Sequence, residues 1–196
     1  MSDQPTRSFG LLEGLLARRR ASRAESLIPD ALRSHRILDL GCGTTPYFLQ
    51  TTRFRDRVGM DPALASTHSR SGLLLVRRDT EVIPWPFPDA HFSVVTMLAV
   101  LEHLRPERVT EVLCEARRVL RPSGALVLTC PAAWTAPILK AMAKLRLLSP
   151  EEISDHKGAY GIGDIRRLLE AAGFDPPAIR CGRFQFGVNS WAIARR

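Results

Sequence analysis

The chain has 196 residues, 45% hydrophobic and 24% charged, a balance that supports a folded globular domain and excludes a disordered or low-complexity segment. Its length suits one continuous core rather than two independent ones. The formal net charge is +8, with three lysines among 28 basic residues, so the surface attracts anionic partners; an arginine-rich solvated surface with no dedicated partner is the simpler expectation.

Residues 1–35 read as an N-terminal helical extension. From Leu11 to Arg33 the apolar positions Leu12, Leu15, Leu16, Leu27 and Ile28 give a moderate helical pattern, interrupted by Arg18, Arg19, Arg20 and Arg23. That basic cluster is expected to be a solvated helix face, with RNA or acidic lipid as the alternatives. From residue 36 to 196 apolar runs alternate with helical patterns, the signature of βαβ units around a parallel sheet. Strands are expected at Ile37 to Leu40, Val58 to Asp61, Leu73 to Arg77, Ser93 to Leu98 and Ala125 to Cys130, each apolar enough to be covered on both faces. Between the last two, Val109, Val112, Leu113, Ala116 and Leu120 recur at helical spacing, and Arg121-Pro122-Ser123-Gly124 ends the helix. Ile165, Leu168, Leu169 and Ala172 mark a final helix with Asp164 in its first turn and Gly173 at its end. Runs near Ala178 to Arg183 and Val188 to Ala194 then suit an antiparallel pair turning at Phe186-Gly187-Val188-Asn189.

Chemistry concentrates at Arg36-Ile37-Leu38-Asp39-Leu40-Gly41-Cys42-Gly43-Thr44-Thr45-Pro46, a strand that ends in a glycine turn and opens a helix. Gly41 and Gly43 allow backbone conformations and approach distances that a Cβ forbids, so a ligand can lie against the loop. A dinucleotide fingerprint requires a third glycine where this chain has Pro46, which disfavours NAD. About twenty residues on, Val58-Gly59-Met60-Asp61 places a carboxylate at a strand end, where it suits both hydroxyls of a ribose.

These segments, I-L-D-L-G-C-G followed by G-M-D, resemble the class I S-adenosylmethionine (SAM) dependent methyltransferases. Arg78-Asp79-Thr80-Glu81-Val82-Ile83-Pro84-Trp85-Pro86-Phe87-Pro88-Asp89 and the stretch from His91 to Leu104, ending Leu101-Glu102-His103-Leu104, are similar to the ubiquinone and menaquinone type members. The resemblance implies a single Rossmann-like, doubly wound α/β domain with seven strands in the order 3214576, strand 7 antiparallel. It also implies SAM over Gly41, Cys42 and Gly43, its amino acid end near Asp39 and its ribose on Asp61. Pro62, Thr80 and Leu98 would line the site, and Asp79 would lie beside the adenine.

One departure is Ser93, where the family usually has Asp; its loss should affect local structure rather than catalysis. Met97-Leu98-Ala99-Val100 also lacks the N/D-P-P-Y/F motif, which argues against methylation of an exocyclic amine on nucleic acid. Displacement from a sulfonium needs positioning, desolvation and at most one proton acceptor. The candidate catalytic residues are His103, His156 and Tyr160, the last two in a segment where this family often carries acceptor contacts. An insertion at about 132–160, with Trp134 ahead of Ile138, Met142, Leu145 and Leu148, reads as a lid over an apolar acceptor, with peripheral membrane contact as an alternative.

Cys42, Cys114, Cys130 and Cys181 show no ligand spacing, so no metal site is expected. The first residues lack a signal peptide's basic start and apolar run, and no apolar stretch is long enough to span a membrane, which suggests a cytoplasmic protein. The expected function is methyl transfer to a small-molecule oxygen or carbon nucleophile. RNA methylation and a non-catalytic SAM-binding module are the alternatives.

Overall fold

The computed structural model describes residues 13–135 and 157–196. Its centre is an eight-stranded sheet. The strands are β1 (Arg36–Leu40), β2 (Asp56–Met60), β3 (His68–Arg70), β4 (Leu73–Val76), β5 (Phe92–Leu98), β6 (Leu120–Pro131), β7 (Ile179–Phe184) and β8 (Asn189–Arg195). They lie in the order β3-β4-β2-β1-β5-β6-β8-β7. The five strands from β4 to β6 are parallel, whereas β8 runs antiparallel to both neighbours. Without β3 this is the seven-stranded order implied by the sequence. The added strand pairs antiparallel with β4 through His68, Ser69 and Arg70, all three exposed, and extends the edge.

Among the described residues four helices cover the sheet: α1 (Glu13–Leu27), α2 (Tyr47–Thr51), α3 (Val109–Val119) and α4 (Ile162–Ala171). On α3 the positions Val109, Val112, Leu113, Ala116 and Val119 are fully buried, as expected for one face of a helix lying on the sheet. With Ile165 and Leu169 of α4 they pack on Leu38, Val95 and Leu126. The opposite face packs Ala21, Ala24 and Ile28, with Phe48 and Leu49 of α2, on Ile37, Val94 and Val127. Side chains alternate along each central strand, so β1, β5 and β6 feed both layers and must be apolar almost throughout.

The N-terminal helix differs from expectation in its buried face. Leu15 is exposed, and the small residues Ala21 and Ala24 make the contact instead, which lets α1 approach the sheet closely. The arginine cluster is divided too. The Arg23 guanidinium lies 4.5 Å from the Trp191 ring centre, whereas Arg18 and Arg19 are exposed.

Ser93 is buried at the start of β5, and its hydroxyl donates to the carbonyls of Leu32 at 2.8 Å and Arg36 at 3.1 Å. It therefore ties the chain entering β1 to β5, at the sheet end away from the glycine turn. No disulfide joins any of Cys42, Cys114, Cys130 and Cys181. Among the described residues no helix is long and apolar enough to cross a membrane.

Candidate active site

The chain leaves β1 toward β2 on one side, and β5 joins β1 on the other, so a crevice opens past the carboxyl ends of these strands. In open α/β sheets ligands bind at such a switch point. The glycine turn forms its floor. Gly41 and Gly43 have φ of +65° and +71°, and the Gly41 N–H donates to the Met60 carbonyl at 2.8 Å.

The two glycines serve different ends. A Cβ on Gly41 would stand 2.6 Å from Val100 Cγ2 at a positive φ, so protein packing alone already requires this glycine. A Cβ on Gly43 would meet nothing closer than the Thr45 nitrogen at 4.0 Å. Gly43 therefore presents bare backbone to open space. Gly59 is a second packing glycine, because a Cβ there would stand 2.7 Å from Cys42 Sγ and 2.9 Å from Leu49 Cδ1. That close approach seats Cys42 beneath the turn.

Asp61 follows the last residue of β2 and is 3% exposed. One carboxylate oxygen accepts the Gly43 N–H at 2.9 Å, and the other accepts the Ala63 N–H at 2.8 Å. A carboxylate has about four acceptor positions, so ribose hydroxyls can join the backbone donors without displacing them. Pro62 continues the chain from that acid.

Asp39 stands in register with Thr96 on β5 and Gly59 on β2. It is buried, and its Oδ1 accepts the Thr96 hydroxyl at 2.6 Å. Burial raises the carboxyl from 3.8 to about 7, against a smaller lowering by the Thr96 hydrogen bond. A cationic ligand group nearby would recover the carboxylate.

The proline-rich segment is a pinned wall. The Trp85 indole donates to the Thr80 carbonyl at 2.9 Å, and the Trp85 N–H donates to Glu115 of α3 at 2.6 Å. Arg118 joins Glu115 at 2.7 Å and the Phe87 carbonyl at 2.9 Å. Thr80 is thereby buried while Asp79 stays exposed, its carboxylate accepting the Glu81 N–H at 2.9 Å.

Across the switch point Leu98 ends β5, and Ala99 turns the chain with φ of +59° and donates to the Thr129 carbonyl at 2.8 Å. The short helix Leu101–His103 follows, with Glu102 buried. Lys157 and Gly158 both donate their backbone N–H to the Glu102 carbonyl, at 2.7 and 3.1 Å. This link, which nothing in the sequence signals, brings the segment leading to α4 onto the residues that leave β5.

Tyr160 then folds back over Gly158, where a Cβ would stand 2.5 Å from its hydroxyl, and packs against the α3/α4 core. Its hydroxyl is buried and makes no hydrogen bond among the described residues. Desolvation first, then nearby Cys130 and Glu102, push it above the ordinary phenol range, so it is a neutral donor at physiological pH. His103 adjoins Glu102, and its N–H donates to the Val100 carbonyl at 2.9 Å. His156 and most of the expected 132–160 lid lie outside the described residues, as do Ile138, Met142, Leu145 and Leu148.

The family model for a methyltransferase domain matches residues 13–177. The chain belongs to this methyltransferase family. A demethylmenaquinone methyltransferase of Tropheryma whipplei is 28% identical over 181 residues, covering 78% of this chain and 70% of that protein. A protein of Encephalitozoon cuniculi named as a methyltransferase is 36% identical over 96 residues, with 47% of this chain and 43% of that protein aligned, so the chain spans less than half of this relative. Among solved structures, a SAM-dependent methyltransferase of Mesorhizobium loti superposes with a TM-score of 0.68 at 15% identity, covering 89% of this chain and 96% of that one. The family match and the superposition agree on a methyltransferase domain built on a Rossmann-like α/β sheet.

Proposed function

We propose that the protein transfers the methyl group of SAM to a small molecule bearing an oxygen or carbon nucleophile. The observation that carries this reading is the pair of backbone bonds from Lys157 and Gly158 to the Glu102 carbonyl, which brings the segment leading to α4 beside the residues that follow β5. Such an arrangement suits a small acceptor better than an open nucleic-acid groove. The division of the arginine cluster favours the same reading over RNA, since Arg23 is engaged with Trp191 and only Arg18 and Arg19 are exposed. Leu98, Ala99 and Val100 provide no polar acceptor for an exocyclic amine.

When bound, the sulfonium supplies an activated methyl and an excellent leaving group. The chain's residues bind, orient and exclude water. Gly43 offers the backbone surface against which the donor lies, Asp61 accepts its ribose hydroxyls, and Asp39 holds a negative charge near its cationic amino acid end. Cys42, Pro62, Thr80 and Leu98 line the site, with Asp79 toward the adenine. On the acceptor side Tyr160, neutral, donates a hydrogen bond that orients the nucleophile. His103 takes the proton the acceptor releases when it carries one, since an imidazole nitrogen can serve as a general base. His156 is a further candidate for that role.

Calorimetry with SAM and S-adenosylhomocysteine, followed by a methyl-transfer screen over phenols, quinols, carboxylates, lipids and RNA, tests the reading. Turnover on a small acceptor with none on RNA is expected. Turnover confined to RNA would reassign the acceptor.

A further inference from the structure

Two aromatic side chains stand exposed at the same end of the sheet as the active-site crevice. Phe186, in the turn joining β7 to β8, projects entirely into solvent at 103% of its reference exposure, and Trp134, just past β6, is 49% exposed. They are linked, because the Trp134 indole N–H donates to the carbonyl of Gly187 at 3.2 Å. A lone exposed aromatic is unremarkable, but a joined pair on a single rim is a contact feature.

The turn that presents Phe186 is held against local strain. Gln185, Phe186 and Gly187 have φ of +52°, +56° and +85°, and the first two are not glycines. Such conformations persist where surrounding bonds over-determine them. Here the Gly187 and Val188 N–H groups donate to Phe184 and Gln185, the Ala132 N–H donates to Val188, and the Asn189 amide bonds the Gln185 side chain at 2.5 Å. The bonds hold the backbone and leave the Phe186 ring free.

Charge selects the occupant. From Pro176 to Arg196 the chain carries four arginines and no acid, so nothing along this hairpin offsets the exposed Arg183 and Arg180. The chain as a whole carries a formal net charge of +8. Aromatic rings beside arginines are the pairing that anchors a protein at the headgroup level of an anionic bilayer. Single-stranded RNA would instead be expected to need aromatics interleaved along a basic track, and Phe186 sits at an isolated tip.

We propose that the Phe186 and Trp134 rim, with Arg183 beside the turn, seats the protein reversibly on an anionic lipid surface with the crevice facing the bilayer. This interaction goes beyond the methyl-transfer reading and does not depend on the acceptor's identity.

The test uses the full chain with vesicles of phosphatidylcholine alone or with about 30 mol% phosphatidylglycerol, the anionic component being required for electrostatic binding. Co-sedimentation with the mixed vesicles only, weakened by added salt, is expected. Trp85 and Trp191 are 2% and 8% exposed, so a blue shift of tryptophan emission on binding reports Trp134. Phe186→Ser should weaken binding about fivefold and Arg183→Glu about tenfold. S-adenosylhomocysteine affinity should be unchanged in both, showing intact folding and a separate donor site. Absence of binding to anionic vesicles, or binding untouched by both substitutions, would overturn the proposal. So would tight binding of single-stranded RNA that depends on Phe186 while vesicles are ignored.

Discussion

The Asp61 carboxylate accepts the Gly43 N–H at 2.9 Å, joining the acid at the end of β2 to the bare backbone of the turn after β1. One residue thus faces the expected ribose and also shapes the floor beneath it. Asp61→Ala should weaken S-adenosylhomocysteine binding by about 1.5 to 3 kcal/mol, since ribose hydroxyls and the Gly43 N–H lose a charged acceptor together. Asp61→Asn keeps one acceptor oxygen for Gly43 and should lose less. Equal affinity of Asp61→Ala and wild type by calorimetry would remove Asp61 from the donor site.

The two turn glycines should separate stability from binding. Gly41→Ala drives a Cβ to 2.6 Å from Val100 Cγ2 at a positive φ, and should cost about 2 kcal/mol or more of stability. Adding Val100→Ala should restore part of that loss. Gly43→Ala has room inside the protein, so its stability cost is about 1 kcal/mol, while the new methyl points into the crevice and lowers donor affinity. Denaturation and calorimetry on the same variants distinguish the two. A reversed pattern would exchange the glycines' roles.

Asp39 should make both stability and donor binding depend on pH. Its carboxyl is raised to about 7 by burial, so the native state holds this proton more tightly than the unfolded chain does. The penalty for ionising it is absent below about pH 4, where both states are protonated, and grows to full size above about pH 7. Asp39→Asn should therefore stabilise the protein at pH 8, by on the order of 2 kcal/mol, and much less at pH 5. Wild-type SAM affinity should rise as pH increases through about 7, because the carboxylate is the form that favours a cationic ligand. An Asp39→Asn variant with the same pH profile as wild type would place the cationic end elsewhere.

Tyr160→Phe removes a buried hydroxyl without a partner among the described residues, so thermal stability should hold or rise slightly. With an acceptor in hand, the same substitution should raise its KM more than it lowers kcat, the mark of lost positioning. His103→Ala should instead lower kcat, most steeply for acceptors that release a proton. Wild-type kinetics in both variants would move the acceptor pocket away from the end of β5.

Much of this was legible in the chain because burial on both faces demands apolar strands. The runs at Ile37, Val58, Leu73, Ser93 and Ala125 each became a strand of the parallel core, and the stripe from Val109 became α3. The extra strand His68–Arg70 was not legible, since an exposed edge strand carries no apolar alternation. The glycine turn was readable as a turn, but the packing demand on Gly41 was not, because Val100 reaches it from 59 residues along the chain. Backbone bonds from Lys157 and Gly158 to Glu102 left no trace in side-chain identity, so Tyr160 was marked while the contact that positions it was not. Ser93 shows the converse: its departure from the family pattern was visible, while its two backbone partners, at the sheet end away from the glycine turn, were not.

The central claim is that a nucleoside donor lies on Gly43 with its ribose at Asp61. Isothermal titration of the wild-type chain and Asp61→Ala with S-adenosylhomocysteine and NAD tests it most directly. The account predicts one site for S-adenosylhomocysteine in the micromolar range, weakened by the substitution, and no heat from NAD. Binding of NAD in preference to S-adenosylhomocysteine, or S-adenosylhomocysteine binding indifferent to Asp61, would contradict it.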